Sequence, residues 1–184
     1  MQMHWALPGT VLQVSREEAQ QIESMFTMMF LGGGMMLSQV ANVTGLEPYA
    51  IQNWVKRGFL PPPRQKRYDM NQLCRVININ MLRGALSMEK ICNLLAYVNG
   101  RLDETCDDLI GDAQLYFMFV HLASRMRQLF DKGTQENAIA SVLREYTEPV
   151  PGAKQRVEKT LRVMLTAWLA GSMQQQAEKM LEEI

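Results

Sequence analysis

Two adjacent amides, Gln52 and Asn53, stand in the run QNWVKRG, and the run RQKRY follows at residues 64–68. Each amide carries a donor group and an acceptor, the combination that suits the N6 and N7 atoms of adenine on its major-groove edge. Lys and Arg at this density suit phosphate, to which they offer charge and directed donors. The chemistry suggested is recognition rather than reaction. No nucleophile–base pair and no paired carboxylates stand out, so an enzyme is not expected. His4 and His121 lie far apart without partners, and no metal site is expected of them. The glycines Gly32, Gly33 and Gly34 are not followed by Gly-Lys-Ser or Gly-Lys-Thr, so they form no phosphate loop and read as a hinge. The acidic run DETCDD at 103–108 lacks the glycine and closing Glu of a calcium loop and reads as a solvated linker. No cofactor is implied. Cys74, Cys92 and Cys106 form no CxxC pair and are odd in number, which argues against disulfides and zinc and for a reducing cytoplasm.

The 184 residues carry 19 basic and 19 acidic side chains. That balance hides a segregation. Residues 36–101 hold nine basic residues against three acidic ones, a net +6, whereas 102–184 are net −4 and 1–35 net −2. A basic middle between acidic flanks points to a polyanionic partner for the middle alone. The weaker reading of the same residues is a solvated face. The longest apolar stretch, Met25 to Leu37, is interrupted by three glycines and falls short of the roughly 20 residues that span a bilayer. No membrane association is expected, and no secretory signal is visible. The fifteen Met fit a helical core with adaptable packing.

The elements that must position the amides and cations are helices. Residues 1–14, with Pro8-Gly9, read as a loosely ordered leader. Ser15 and Glu18 form a capping box that opens a helix ending near Leu31. Ser38 is expected to cap a helix through Val43, ended by Thr44-Gly45. Pro48 suits the first turn of a second helix, in which Ala50, Ile51, Trp54 and Val55 recur at helical spacing and face the core. Tyr49, Gln52, Asn53, Lys56 and Arg57 are left facing outward. Gly58 ends that helix, and Pro61-Pro62-Pro63 impose an extended loop. Asp69 with Gln72 is a second capping box, leading to about Arg83. Ser87 caps the next helix, which Asn99-Gly100 closes. An acidic linker, 103–112, then separates three more helices, Ala113–Phe130, Gln135–Glu145 and Ala153–Ile184. In the first, Leu115, Tyr116, Phe119, Leu122, Met126 and Phe130 line one face. In the last, Val157, Leu161, Met164, Leu165, Trp168, Leu169 and Met173 form a broad apolar stripe.

The stretch LSQVANVTGLEPYAIQNWVKRGFLPPP, with KRYDMNQLCRVININMLRGALSMEKICNLL after it, resembles the winged helix-turn-helix domain of MerR-type bacterial transcription regulators. The matching features are Val40-Ala41, Thr44-Gly45-Leu46 at the turn, Gly58-Phe59-Leu60-Pro61 after the second helix, and Lys66-Arg67-Tyr68 at the wing. The downstream YVNG, the acidic segment and the helical tail look closer to an uncharacterised bacterial family with a MerR-like domain, a domain of unknown function. Two positions depart from the MerR pattern. Gln52-Asn53-Trp54 replaces the usual Arg-Tyr-Tyr and is similar to the excisionase-like branch, and Lys66 replaces the wing arginine. No long dimerising coiled coil is obvious, and no cysteine cluster resembles a metal-sensing loop.

The resemblance implies a mainly α-helical protein in three parts. These are a leader and helix at 1–34, a MerR-like winged helix-turn-helix at 35–101, and a helical dimerisation or interaction module at 102–184. It implies sequence-specific binding of double-stranded DNA by a cytoplasmic transcription regulator, with helix 48–57 in the major groove and wing 61–68 on the backbone. Gln52 and Asn53 would read bases, or simply face water as polar side chains. Tyr49 would touch a phosphate or a thymine methyl, and Lys56 and Arg57 the flanking phosphates. Arg64, Lys66, Arg67 and Tyr68 would lie along the backbone or minor groove. A homodimer is expected, with room for a small-molecule effector. An excisionase-like architectural protein and a protein–protein adaptor docking an acidic partner are the alternatives.

Overall fold

The computed structural model of the chain describes residues 5–100, 102, 108–125 and 132–182. It is mainly helical, with one two-stranded sheet. Strands β1 (Trp5–Ala6) and β2 (Gln13–Val14) pair antiparallel. Helices α1 (Arg16–Ala19), α2 (Ile22–Met29), α3 (Leu37–Thr44), α4 (Pro48–Lys56), α5 (Met70–Leu82) and α6 (Met88–Asn99) follow. After the acidic segment come α7 (Asp112–Arg125), α8 (Lys132–Val142) and α9 (Ala153–Glu182). Among the described residues no helix is long and apolar enough to cross a membrane.

The centre of the molecule is α5. Ten of its thirteen residues are buried, because α3, α6, α7 and α9 all pack on it. A helix enclosed on every side keeps polar residues only where each finds a partner. Asp69 and Gln72 form the expected capping box, the Gln72 N–H reaching Asp69 Oδ1 at 2.8 Å and the Asp69 N–H reaching Gln72 Oε1 at 2.9 Å. Ser87 caps α6, and Gly100 closes it at positive φ, as the sequence suggests.

Four local expectations change. Residues 5–14 are not a loose leader: Leu7 and Val14 are buried, and the hairpin turn is pinned to the core. Gly9 takes a φ of +73° and lies so close to α5 that a Cβ there would stand 2.5 Å from the Ile77 carbonyl oxygen. The Asn80 amide and the Tyr116 hydroxyl donate to the Gly9 and Pro8 carbonyls at 3.0 and 3.1 Å. The capping box at Ser15 forms, but the helix breaks after Ala19, where Gln20 and Gln21 bond three residues back before α2 resumes. Ala19 and Ile22, on either side of the break, are both fully buried. Met36, not Ser38, caps α3, with its N–H donating to Gln39 Oε1 at 2.8 Å. In α9, Met173 leaves the apolar stripe and is 54% exposed.

The tail helices begin close to the expected positions. Helix α7 starts at Asp112, α8 runs three residues earlier than expected, and α9 starts at Ala153. The expected ends at Phe130 and Ile184, and residues 103–107 of the acidic linker, lie outside the described residues. That segment interrupts the chain without dividing the core, since buried apolar residues form one cluster from Leu7 to Leu169.

Candidate nucleic-acid interface

Helix α3 ends at Gly45, whose φ of +69° satisfies the Ala41 carbonyl through a left-handed cap. A Cβ at Gly45 would stand 2.7 Å from the side chain of exposed Val11, so it is the positive φ that calls for glycine here. The Thr44 hydroxyl donates back to Val40 at 2.8 Å, and buried Leu46 anchors the three-residue turn. Pro48 then occupies the first turn of α4. Ile51 and Trp54 are buried at 0% and 7% exposure. That leaves Tyr49, Gln52, Asn53, Lys56 and Arg57 exposed on the outer face, as their spacing requires. The Gln52 and Asn53 amides make no hydrogen bond among the described residues. By contrast Gln72, Asn78, Asn80 and Asn99 all donate to backbone carbonyls.

The C-terminus of α4 is a Schellman arrangement, with Gly58 at φ +74° and the Phe59 N–H bonded to the Trp54 carbonyl at 2.9 Å. The Arg57 guanidinium lies 4.7 Å from the centre of the Phe59 ring. Beyond it, the proline-stiffened segment is clamped by α5. Arg75 Nε donates to the Phe59 carbonyl at 3.1 Å, and Gln72 Nε2 donates to the Pro61 and Pro62 carbonyls at 3.2 and 2.9 Å. Proline carbonyls have no neighbouring ladder here, so a side-chain amide supplies the donor.

The segment then turns sharply. The Arg67 N–H bonds to the Arg64 carbonyl at 2.9 Å across Gln65 and Lys66, which have φ of +49° and +62°. Two consecutive positive φ values are the pattern of the two-residue turn that joins antiparallel strands. The sequence suggested only an extended loop. Arg64, Gln65, Lys66 and Arg67 are exposed at its tip. Arg67 has a second duty, because its Nη1 donates to the Gly33 and Gly34 carbonyls at 3.2 and 3.0 Å. Gly33 and Gly34 take positive φ beside it.

Tyr68 requires a correction. It is 2% exposed, and its backbone exchanges two hydrogen bonds with Met35 at 2.7 and 2.8 Å. Burial pushes its phenol pKa up. The ring belongs to the core, so Tyr68 leaves the contact set. Arg75 leaves the basic surface too, since it is buried with Asp112 of α7 at 3.3 Å. Burial holds the Asp112 carboxyl above its ordinary value in spite of the arginine. In the sequence Gln72 reads only as a cap and Arg75 only as one of the basic residues, and Asn80 has no reading. The signal for their clamping role is that five polar residues, Asn71, Gln72, Arg75, Asn78 and Asn80, interrupt an otherwise apolar helix.

The fold thus places an outward amide-and-cation helix against α3 and, beyond the proline segment clamped by α5, a turn tipped with three basic side chains. The chain belongs to the family described as domain of unknown function (DUF1836), whose model matches residues 20–119, from just before α2 into α7. No curated protein and no solved structure matches it.

Proposed function

We propose that residues 35–101 act as a MerR-like winged helix-turn-helix that binds double-stranded DNA sequence-specifically, in a cytoplasmic transcription regulator working as a homodimer. Helix α4 enters the major groove, with Gln52 and Asn53 on base edges and Lys56 and Arg57 toward phosphates. Tyr49 lies at the entering end. The wing at 61–68 runs along the backbone and uses Arg64, Lys66 and Arg67. The observation that carries the reading is the pair of unengaged amides standing beside Lys56 and Arg57 on the exposed face of α4. A helix of nine residues after a three-residue glycine turn also has the dimensions for the groove, about 12 Å wide.

Selection of bound sequences from a pool of random duplexes tests the reading. Enrichment of one palindromic site supports a regulator. Duplex binding without a preferred site, accompanied by bending, favours an architectural protein and overturns sequence-specific regulation. Absence of any duplex binding at low salt overturns DNA recognition and leaves an adaptor.

A further inference from the structure

We infer, resting on the DNA reading for what the wing touches, that Arg75 is its positioning residue. It ties the root of the wing to the first turn of α7, so the tail sets where the basic tip stands.

The wing's outgoing arm has few means of holding itself. Pro61, Pro62 and Pro63 carry no backbone N–H, so this arm cannot donate into a ladder and is held through its carbonyls. Three of these are met by two side chains of α5. Gln72 Nε2 reaches the Pro61 and Pro62 carbonyls, and Arg75 Nε reaches the Phe59 carbonyl at 3.1 Å. Leu60, between them, is buried. The returning arm is held separately, by the backbone pairing of Tyr68 with Met35 and by Arg67 on the Gly33 and Gly34 carbonyls. The two arms meet through the bond from the Arg67 N–H to the Arg64 carbonyl.

The same helix grips the start of α7. Asn71, Arg75 and Asn78 fall on one stripe of α5, four and then three residues apart. Asn71 Oδ1 accepts the Ala113 N–H at 3.0 Å, and Asn78 Nδ2 donates to the Asp112 carbonyl at 3.3 Å. Arg75 Nη1 meets Asp112 Oδ2 at 3.3 Å. Of Asn71, Gln72, Arg75 and Asn78, only Arg75 bonds both the wing root and the tail.

Stability alone does not explain a charge at this place. Taking two charges out of water offsets most of their attraction, and apolar side chains of similar volume often fold as well or better. A methionine at 75 cannot donate to the Phe59 carbonyl. The guanidinium is a rigid fork, so its grip on Asp112 also aims Nε at Phe59. The side chains of Arg75 and Asp112 are only 7% and 12% exposed, which leaves water little access to take over either bond.

The test is hydrogen exchange by the full chain without DNA, read at single amides. Arg75→Met with Asp112→Ala leaves neither partner's charge unpaired, and this variant should melt cooperatively. Its Arg67 amide should exchange about tenfold faster than in the parent, the usual effect of losing a hydrogen bond from a charged donor. The Val43 and Thr44 amides of α3 should keep the parent's rates. Arg75→Lys keeps the charge for Asp112 but lacks the fork, and should show the same rise confined to the wing. With duplex DNA, the double variant should show a shallower salt dependence and an unchanged base preference, since Gln52 and Asn53 stand on α4. An unchanged Arg67 rate in the double variant, or in Arg75→Lys should the double variant not fold, overturns the inference. So does a rise of equal size in the wing and in α3, which is destabilisation without positioning. Exchange is read without DNA, so a parent that binds no duplex sinks the DNA reading while the exchange rates still decide whether Arg75 holds the wing.

Discussion

Lys66 holds a φ of +62° at the wing tip, a region that costs a non-glycine residue about 1 kcal/mol or more. Lys66→Gly therefore removes the charge while relieving the backbone. The variant should melt no lower than the parent, and its log affinity should fall less steeply with log salt, by about one unit for each phosphate no longer engaged. An unchanged slope would remove the wing from the interface. On α4, Gln52→Ala and Asn53→Ala should each relax preference by roughly 1–3 kcal/mol at a base position, with little effect on stability. Trp54→Ala should instead cost about 3–5 kcal/mol of folding free energy. Equal melts for the Trp54 variant and the parent would reverse the inside and outside of that helix. Helical spacing was enough to separate Trp54 from Gln52 in the sequence. It could not separate Tyr68 from Arg67, because Tyr68 is buried by a pairing with Met35, far back along the chain.

Helix α5 links the proposed reading surface to the tail. Arg75 and Asp112 are a buried pair, so Asp112→Ala should cost about 3–5 kcal/mol by leaving the guanidinium unpaired. Arg75→Met combined with Asp112→Ala should cost less than the single change, and a double-mutant cycle by denaturant melts measures the difference. Burial raises the folded pKa of Asp112 above 3.8, so the folded chain holds that proton to higher pH than the unfolded chain does. From this residue, stability falls as pH rises from about 3.8 toward the folded value. The penalty of Asp112→Asn should therefore shrink as pH rises through that window, and a penalty that grows would contradict the shift. Capping boxes at Ser15 and Asp69 were legible because both partners lie within one turn. The clamps from Gln72 and Arg75 to the proline segment were not, because a capping glutamine looks the same whether or not its amide nitrogen also reaches a carbonyl beyond the helix.

Over the whole molecule, the sequence marks the acidic segment as a boundary, yet the packing of α5 on α7 and α9 crosses it. Composition shifts report charge, whereas the core is set by which apolar faces meet. Truncation after Gly100 would remove Asp112 and uncover the α5 face that α7 and α9 bury, so such a fragment is expected to unfold rather than persist as a half-sized DNA binder. The hairpin at 5–14 is not legible in the sequence for a related reason, since its anchors are Asn80 and Tyr116, distant in the chain. Titration of the full-length chain against labelled duplex DNA at several salt concentrations tests DNA recognition most directly. Binding should be strong at low salt and weaken on a straight log–log line, shallower for Lys66→Gly than for the parent. No binding to any duplex at low salt, by a chain that melts cooperatively, would contradict it.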